Sequence, residues 1–496
     1  MQKNAASATQ TNGAQMKQES GNPTLILIFI LFVALLLRLF HSNDGLWLDE
    51  ILTYINYANL PFKTIITTFD SENQHFLFSL LSRLSLLIFG ESIWALRLPA
   101  ILFGVASIAA LYLLGREVAN TREALLASAL MTFSYHHIWF SQNARGYTGM
   151  LFWTLLSSWF LLLSLKQGKL HNWFFYALSA ALGVYTHLTM LFVIFGQFVV
   201  YLLQILKLRK EPWSNRWVGL FMGFGGAALF TLLFYSPVIP QLTHTIGGTE
   251  SSVVTAWKNP IWTLMEILQG LQIGFSSGLV AIAALLVFGI GFFSYWRTYP
   301  AVIMLLLIPP IIGAMTVIAI GHHLWPRFFF FTFGFAALVV IRGCMKTGEY
   351  FVKITRLPWN DTSLLGTVFC LALIFISALS IPFAYGPKQD YQAALDYIVS
   401  NRQPGDAVVT TSLASTVYKD YFHTDWTPVN SLQELDSIRK NADRTWLVYS
   451  FQPVLQAVNP DLLAKIQQDF KLVMQFDGTV REGTVYVFLA ESQFRQ

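Results

Sequence analysis

The chain has 496 residues, of which 54% are hydrophobic, 15% aromatic and only 12% charged, with a net charge of +5 and a mean hydropathy of +0.51. Soluble domains carry about 25% charged residues, so a purely soluble protein is excluded; the hydrophobicity likewise excludes intrinsic disorder. The basic residues fall in short loops between apolar runs, which fits the positive-inside rule better than nucleic-acid binding. There are two cysteines, Cys344 in a basic loop and Cys370 in an apolar run, which argues against a disulfide scaffold and a cysteine metal site.

Residues 1–23 are polar and aperiodic, and read as a disordered cytoplasmic tail. Apolar stretches of roughly 20 residues can span a bilayer. Such stretches are expected at about 24–40, 93–114, 124–140, 148–165, 172–186, 188–206, 217–236, 276–295, 301–320, 328–342 and 363–384, about eleven in all. With the N-terminus inside, the cations of inside loops outnumber those of outside loops by about two to one. Two outside loops are long, about 41–91 and 237–266. Within the first, FLFSLLSRLSLLIF (76–89) is apolar but short and carries Arg83, so it reads as an amphipathic surface helix.

From Lys388 onward about a fifth of the residues are charged. A helix over 390–401 is followed by β-rich runs at 407–412, 445–450, 471–476 and 484–489, with helical patterns at 431–441 and 461–469 between them. The alternation predicts a small soluble α/β domain over 388–496, outside, after a membrane domain over 24–387.

The ionisable residues that stand out cluster on the outer face. Asp49-Glu50 follows the first span in GLWLDEILTY. Two adjacent carboxylates at a membrane surface are expensive to desolvate, so a general base with an orienting or metal-holding neighbour competes with a solvated helix N-terminus. Asp70, Glu72 and His75 in FDSENQHF suit a divalent ion or a sugar hydroxyl, against a plain polar loop. Arg145 in SQNARGYTG and Arg327 in HHLWPRFF sit in short outside turns, where a phosphate contact competes with an interfacial anchor. Lys258 and His322 are further phosphate-binding candidates. Arg97 is expected to cap a span and pair with a loop acid, and Arg38 to pair with Asp44 or Asp49. No nucleotide-binding motif is present, so a sugar donor would be presented by the membrane.

Together these residues resemble a family. GLWLDE, then NQHFLFSLLSRLSLLIFGESIWALRLPA, is similar to the first external loop of the GT-C glycosyltransferases, in the group of protein O-mannosyltransferases and the lipid A aminoarabinose transferase (glycosyltransferase family 39/83-like). SQNARGYT, WPRFFFFTFGFAAL and, in the tail, KQDYQAALDYIVSNRQPGDAVV and RTWLVYS extend the resemblance over most of the chain from about residue 24. Asp49-Glu50 matches the family's Asp-Glu pair, and His75 its His before the amphipathic helix. Two departures are Phe76-Leu77, where the family often has prolines, and Asn143, in place of the first Tyr of a Tyr-x-Arg pattern.

The resemblance implies an α-helical polytopic membrane protein of GT-C type with a soluble α/β tail, in a bacterial inner membrane. It implies sugar transfer from a polyprenyl-phosphate donor to an acceptor hydroxyl on a glycan, lipid or protein, by one inverting displacement. Asp49 would be the base, Glu50 its orienter or a ligand of a divalent cation, and Arg145 and Arg327, with Lys258 and His322, the phosphate site. A transporter or flippase of a lipid-linked glycan is the alternative; it predicts facing charges at mid-membrane depth. A non-enzymatic scaffold is a third reading.

Overall fold

The computed structural model describes residues 22–207, 217–247, 254–271, 278–355 and 363–491. The expected cytoplasmic tail up to residue 21, the loop cations Arg209, Lys210, Arg216 and Arg356, and residues 248–253 of the second long loop lie outside the described residues.

Each of the eleven apolar stretches is mostly helical over its described residues. Among the described residues five helices are long and apolar enough to cross a membrane: Ile93–Val118, Tyr147–Gln167, Gly219–Thr245, Pro300–Ala319 and Pro326–Thr355. Shorter apolar helices such as Pro23–Leu39 and Ser363–Leu379 fill other expected spans. Their ends carry ordinary stop and start signals. Asn22 accepts from Thr24 N–H at 3.0 Å ahead of Pro23, and Asn120 accepts from Glu123 N–H at 2.9 Å. Gly168, at φ 67°, ends Tyr147–Gln167 in the left-handed conformation.

The expected span over 124–140 is two helices, Thr121–Thr132 and Tyr135–Ser141. The break leaves carbonyls of Met131 and Thr132 free, and Arg38 uses them. Its guanidinium is fully buried and donates to the carbonyls of Ala34 (2.9 Å), Met131 (3.3 Å) and Thr132 (3.4 Å), to Ser141 Oγ (3.2 Å) and toward His137 Nδ1 (2.7 Å). The expectation that Arg38 pairs with Asp44 or Asp49 is therefore not met. A buried guanidinium has five donors to satisfy, and helix-end carbonyls supply acceptors without a second charge.

The first long loop is built rather than open. It holds short helices at Leu48–Thr53 and Phe62–Thr67, then Phe76–Phe89. The last buries a serine edge against Ile93–Val118, where Ser82 and Ser85 donate to the Leu96 and Ala95 carbonyls at 3.0 and 2.6 Å. Leu84, Leu87, Ile88 and Phe89 stay exposed.

The tail folds as a five-stranded sheet in the order β2-β1-β3-β5-β4, with β1 Ala407–Thr410, β2 Thr427–Pro428, β3 Arg444–Ser450, β4 Lys471–Phe476 and β5 Val485–Glu491. β1 is parallel to β2 and β3; β5 is antiparallel to β3 and β4. Its core is not separate from the membrane part. Leu46, Leu48 and Ile51 of the first loop share one apolar cluster with Ala95, Ala144, Tyr391, Tyr418 and Val448. The tail, the first loop and the turns bearing Arg145 and Arg327 thus gather at one end of the bundle. At the other end Lys166 pairs with Glu117 (2.8 Å) and Arg342 with Glu123 (2.9 Å).

Candidate active site

The Leu48–Thr53 helix carries both adjacent acids, about 100° apart around its axis. Glu50 points inward and is fully buried. Arg97 grips it bidentately, Nε to Oε1 at 2.8 Å and Nη2 to Oε2 at 2.7 Å, and Ala144 N–H donates to Oε1 at 2.6 Å. The same guanidinium donates to the carbonyls of Ser42, Asp44 and Gly45 at 3.1, 2.8 and 2.9 Å. Burial pushes the Glu50 carboxyl upward, but the opposing fields of Arg97 and Lys388 and the hydrogen bonds outweigh it and hold the group below the usual carboxylate range. Glu50 is the acid that Arg97 was expected to find. With its oxygens committed to Arg97 and Ala144, it neither orients Asp49 nor has the freedom of a metal ligand, contrary to the roles expected for it.

Asp49 faces the other way. Its Oδ2 lies 3.1 Å from Arg327 Nη1. Arg327 is stacked on Trp325 at 4.7 Å and lies 5.7 Å from the Trp47 ring. Beside them a cavity of about 240 Å³ is lined by Asn73, His75, Arg145, Tyr147, His187 and Arg327, among others. Arg145 donates to Asn73 Oδ1 and to Thr53 Oγ1 (3.3 Å). The Nε atoms of Arg145 and Arg327 are buried with no hydrogen-bond partner among the described residues. Two guanidiniums with unused donors around one cavity have the chemistry to take an anion.

Two imidazoles complete the wall. His75 Nδ1 accepts from Gly146 N–H at 2.8 Å, so the neutral ring carries its proton on Nε2. Burial, then Arg145, His187 and Arg327, push its pKa well down. His187, whose ring centroid lies 4.6 Å from that of His75, is pushed down to about 3 by burial and by the same two arginines. Both rings are neutral near pH 7, and that spares the cavity two further positive charges.

The acidic motif does not converge. Asp70 accepts from Tyr57 Oη at 2.5 Å, Glu72 lies 2.9 Å from His322 Nδ1, and His75 is turned to Gly146. No group of three His, Cys, Asp or Glu side chains comes together among the described residues. Asp70, Glu72 and His75 therefore do not form the divalent-ion site that their spacing allowed. His322 is held by Glu72 at the rim, and Lys258 does not line the cavity, although its segment joins the His322–Arg327 turn through Leu324 N–H to the Trp257 carbonyl (3.3 Å).

Residues 73–240 match the sequence profile of the dolichyl-phosphate-mannose-protein mannosyltransferase family. No curated protein sequence matches the chain significantly. Among solved structures, ArnT from Cupriavidus metallidurans in the apo state aligns with a TM-score of 0.53 at 13% identity, covering 94% of this chain and 98% of that one. The same enzyme bound to undecaprenyl phosphate gives 0.53 at 12% identity, covering 95% and 98%. The Archaeoglobus fulgidus oligosaccharyltransferase in complex with Zn and sulfate gives 0.50 at 13% identity, covering 95% and 73%. The chain has the GT-C fold. The likeness extends over nearly the whole chain for the fold, and over residues 73–240 for the mannosyltransferase profile.

Four wall or frame residues did not stand out in the sequence. His187 served only to separate two apolar runs. Asn73, which takes Arg145, looked like loop filler. Lys388 and Gln389, discussed below, looked like the start of the tail. For His187 the signal was present: an ionisable ring between two apolar helices is rare without a role.

Proposed function

We propose that this protein transfers a sugar from a polyprenyl-phosphate donor to an acceptor hydroxyl, at the face of a bacterial inner membrane that looks away from the cytoplasm. The observation that carries the reading is the pairing of an anion site with a base: Arg145 and Arg327 on one cavity, with Asp49 at 3.1 Å from Arg327. The donor phosphate binds Arg145 and Arg327 and draws Arg327 away from Asp49. The carboxylate so released accepts the proton of the acceptor hydroxyl as its oxygen attacks the anomeric carbon. The bond from that carbon to the phosphate oxygen breaks, and polyprenyl phosphate leaves with the electron pair, its new charge held by the two guanidiniums. With one base and no second nucleophile the displacement is single and inverts the carbon. The scheme has no step through a metal.

The test supplies membranes containing wild type, Asp49→Asn or Arg145→Ala with a panel of radiolabelled polyprenyl-phosphate sugars, and follows label into lipid, protein and glycan fractions. One donor consumed by wild type and spared by Asp49→Asn, at equal protein levels, supports the reading and names the sugar. Equal transfer by Asp49→Asn removes Asp49 as the base. Lipid-linked sugar that crosses the bilayer without being transferred would favour the flippase alternative.

A further inference from the structure

The Leu48–Thr53 helix has only a partial cap of its own, Glu50 Oε2 accepting from Trp47 N–H at 3.5 Å. Trp47 stands at the cap position and offers no side-chain acceptor. The Leu48 N–H, one of the orphan donors of any helix start, is taken instead by Gln389 Oε1 at 3.1 Å, from 341 residues along the chain. The neighbouring residue does the same for the other half of the site. Lys388 Nζ donates to the Gln142 carbonyl at 2.7 Å, in the turn that leads to Ala144 and Arg145. Both side chains are buried.

These two residues are themselves fixed by the β4–β5 loop. Thr479 N–H donates to the Pro387 carbonyl at 2.9 Å and Val480 N–H to the Lys388 carbonyl at 3.0 Å. Gln389 Nε2 donates to the Gly483 carbonyl at 3.0 Å, and Trp139 Nε1 to Thr479 Oγ1 at 2.8 Å. The loop passes so close that a Cβ on Gly478 would lie 2.0 Å from the Lys388 carbonyl oxygen. Only glycine allows that approach without a shift of backbone.

From this geometry we infer that Lys388 and Gln389 are positioning residues: the tail sets the distance between the Asp49 helix and the Arg145 turn. The inference deepens the proposed transferase reading and rests on it for its kinetic consequences. Gln389 acts on the base, so its loss falls on the chemical step. Lys388 acts on the turn bearing a phosphate ligand, so its loss falls on donor binding. A tail that merely stabilised the fold would not divide its effects in this way.

The experiment uses the full-length protein in three forms, Gln389→Leu, Lys388→Met and Gly478→Ala, with Lys465→Ala on the far side of the tail as control. A displacement of about 1 Å at a reacting group costs on the order of 100-fold in rate. Gln389→Leu should therefore lower kcat by about 10- to 100-fold with donor KM little changed. Lys388→Met should chiefly raise donor KM, Gly478→Ala should do both, and Lys465→Ala should do neither. Hydrogen exchange reads the clamp without any assay of transfer: amides in 48–53 should exchange faster in Gln389→Leu and those in 142–147 faster in Lys388→Met. Unchanged local exchange overturns the inference whatever the enzymology. So does parallel loss of kcat, KM and thermal stability, which marks a structural role only. Faster local exchange with no transfer by wild type from any donor would sink the transferase reading and leave the clamp standing.

Discussion

The two sides of the Leu48–Thr53 helix have the same chemistry and opposite surroundings. On the inner side Glu50 and Arg97 form a dry, bidentate pair whose every strong donor and acceptor is used. On the outer side Asp49 meets Arg327 through one contact at 3.1 Å, beside a cavity, with Arg327 Nε left over. A saturated ion pair holds a loop in shape and does nothing else. An unsaturated one can exchange its partner for a ligand. The difference gives Glu50 an architectural place and leaves Asp49 as the acid available for the base role proposed for it, a distinction that no reading of the dipeptide alone could draw.

The most severe way to press this contrast is to neutralise each acid in turn. Asp49→Asn should lower sugar transfer by about 10²- to 10⁴-fold, the usual contribution of a general base, while the melting temperature hardly moves. Glu50→Ala should show the reverse order of causes. It leaves Arg97 buried without its counter-charge, and such breaks cost about 3–5 kcal/mol. Folded protein recovered from membranes should fall first, with activity following it. Replacing both Glu50 and Arg97 by apolar residues should recover part of that stability, because no lone charge remains. If Glu50→Ala folds as well as Asp49→Asn, the division between the two sides of the helix is wrong.

The contrast also explains what was legible in advance. Hydropathy located the eleven apolar stretches, although 124–140 is two helices rather than one, and β-rich runs located four of the five strands, because both signals are local. Asp49, His75, Arg145 and Arg327 were visible because ionisable groups beside apolar runs are rare. The break at Phe133-Ser134 was not visible, since the guanidinium that takes up its freed carbonyls lies about ninety residues earlier in the chain. Nor was the scattering of Asp70, Glu72 and His75, which depends on Tyr57, His322 and Gly146. The two-residue β2 carries too little sequence to signal a strand. Partners distant in sequence decide these cases, and spacing within a motif cannot name them.

The cavity wall gives a milder test. His187 is held neutral, its pKa lowered from 6.5 to about 3. A histidine whose folded pKa is depressed takes up its proton in the unfolded chain first as pH falls. The folded state therefore loses stability below about pH 6.5, by up to about 1.4 kcal/mol per pH unit, and the loss continues toward pH 3. His75 is shifted in the same direction and adds to the slope. Melting curves between pH 7.5 and 4 should show this decline, and His187→Gln should flatten it by one proton's share. A variant with the full wild-type slope would place the acid sensitivity elsewhere.

The smallest effect is expected at Asp70, and it is informative because the sequence singled that residue out. Its carboxylate is exposed and accepts from Tyr57 Oη, away from the cavity lining. Removing the charge while keeping an acceptor, as Asp70→Asn does, leaves Tyr57 a partner and alters nothing around Arg145 or Arg327. Exposed substitutions of this kind usually stay within about 0.5 kcal/mol, so transfer rate and melting temperature should both remain near wild type. Should Asp70→Asn instead abolish transfer, and should added divalent cation restore it, the acidic motif would have to close on an ion when substrate binds. The cavity's chemistry would then belong to the wall that now stands apart from Asp49, and Asp49 would no longer be sufficient as the base.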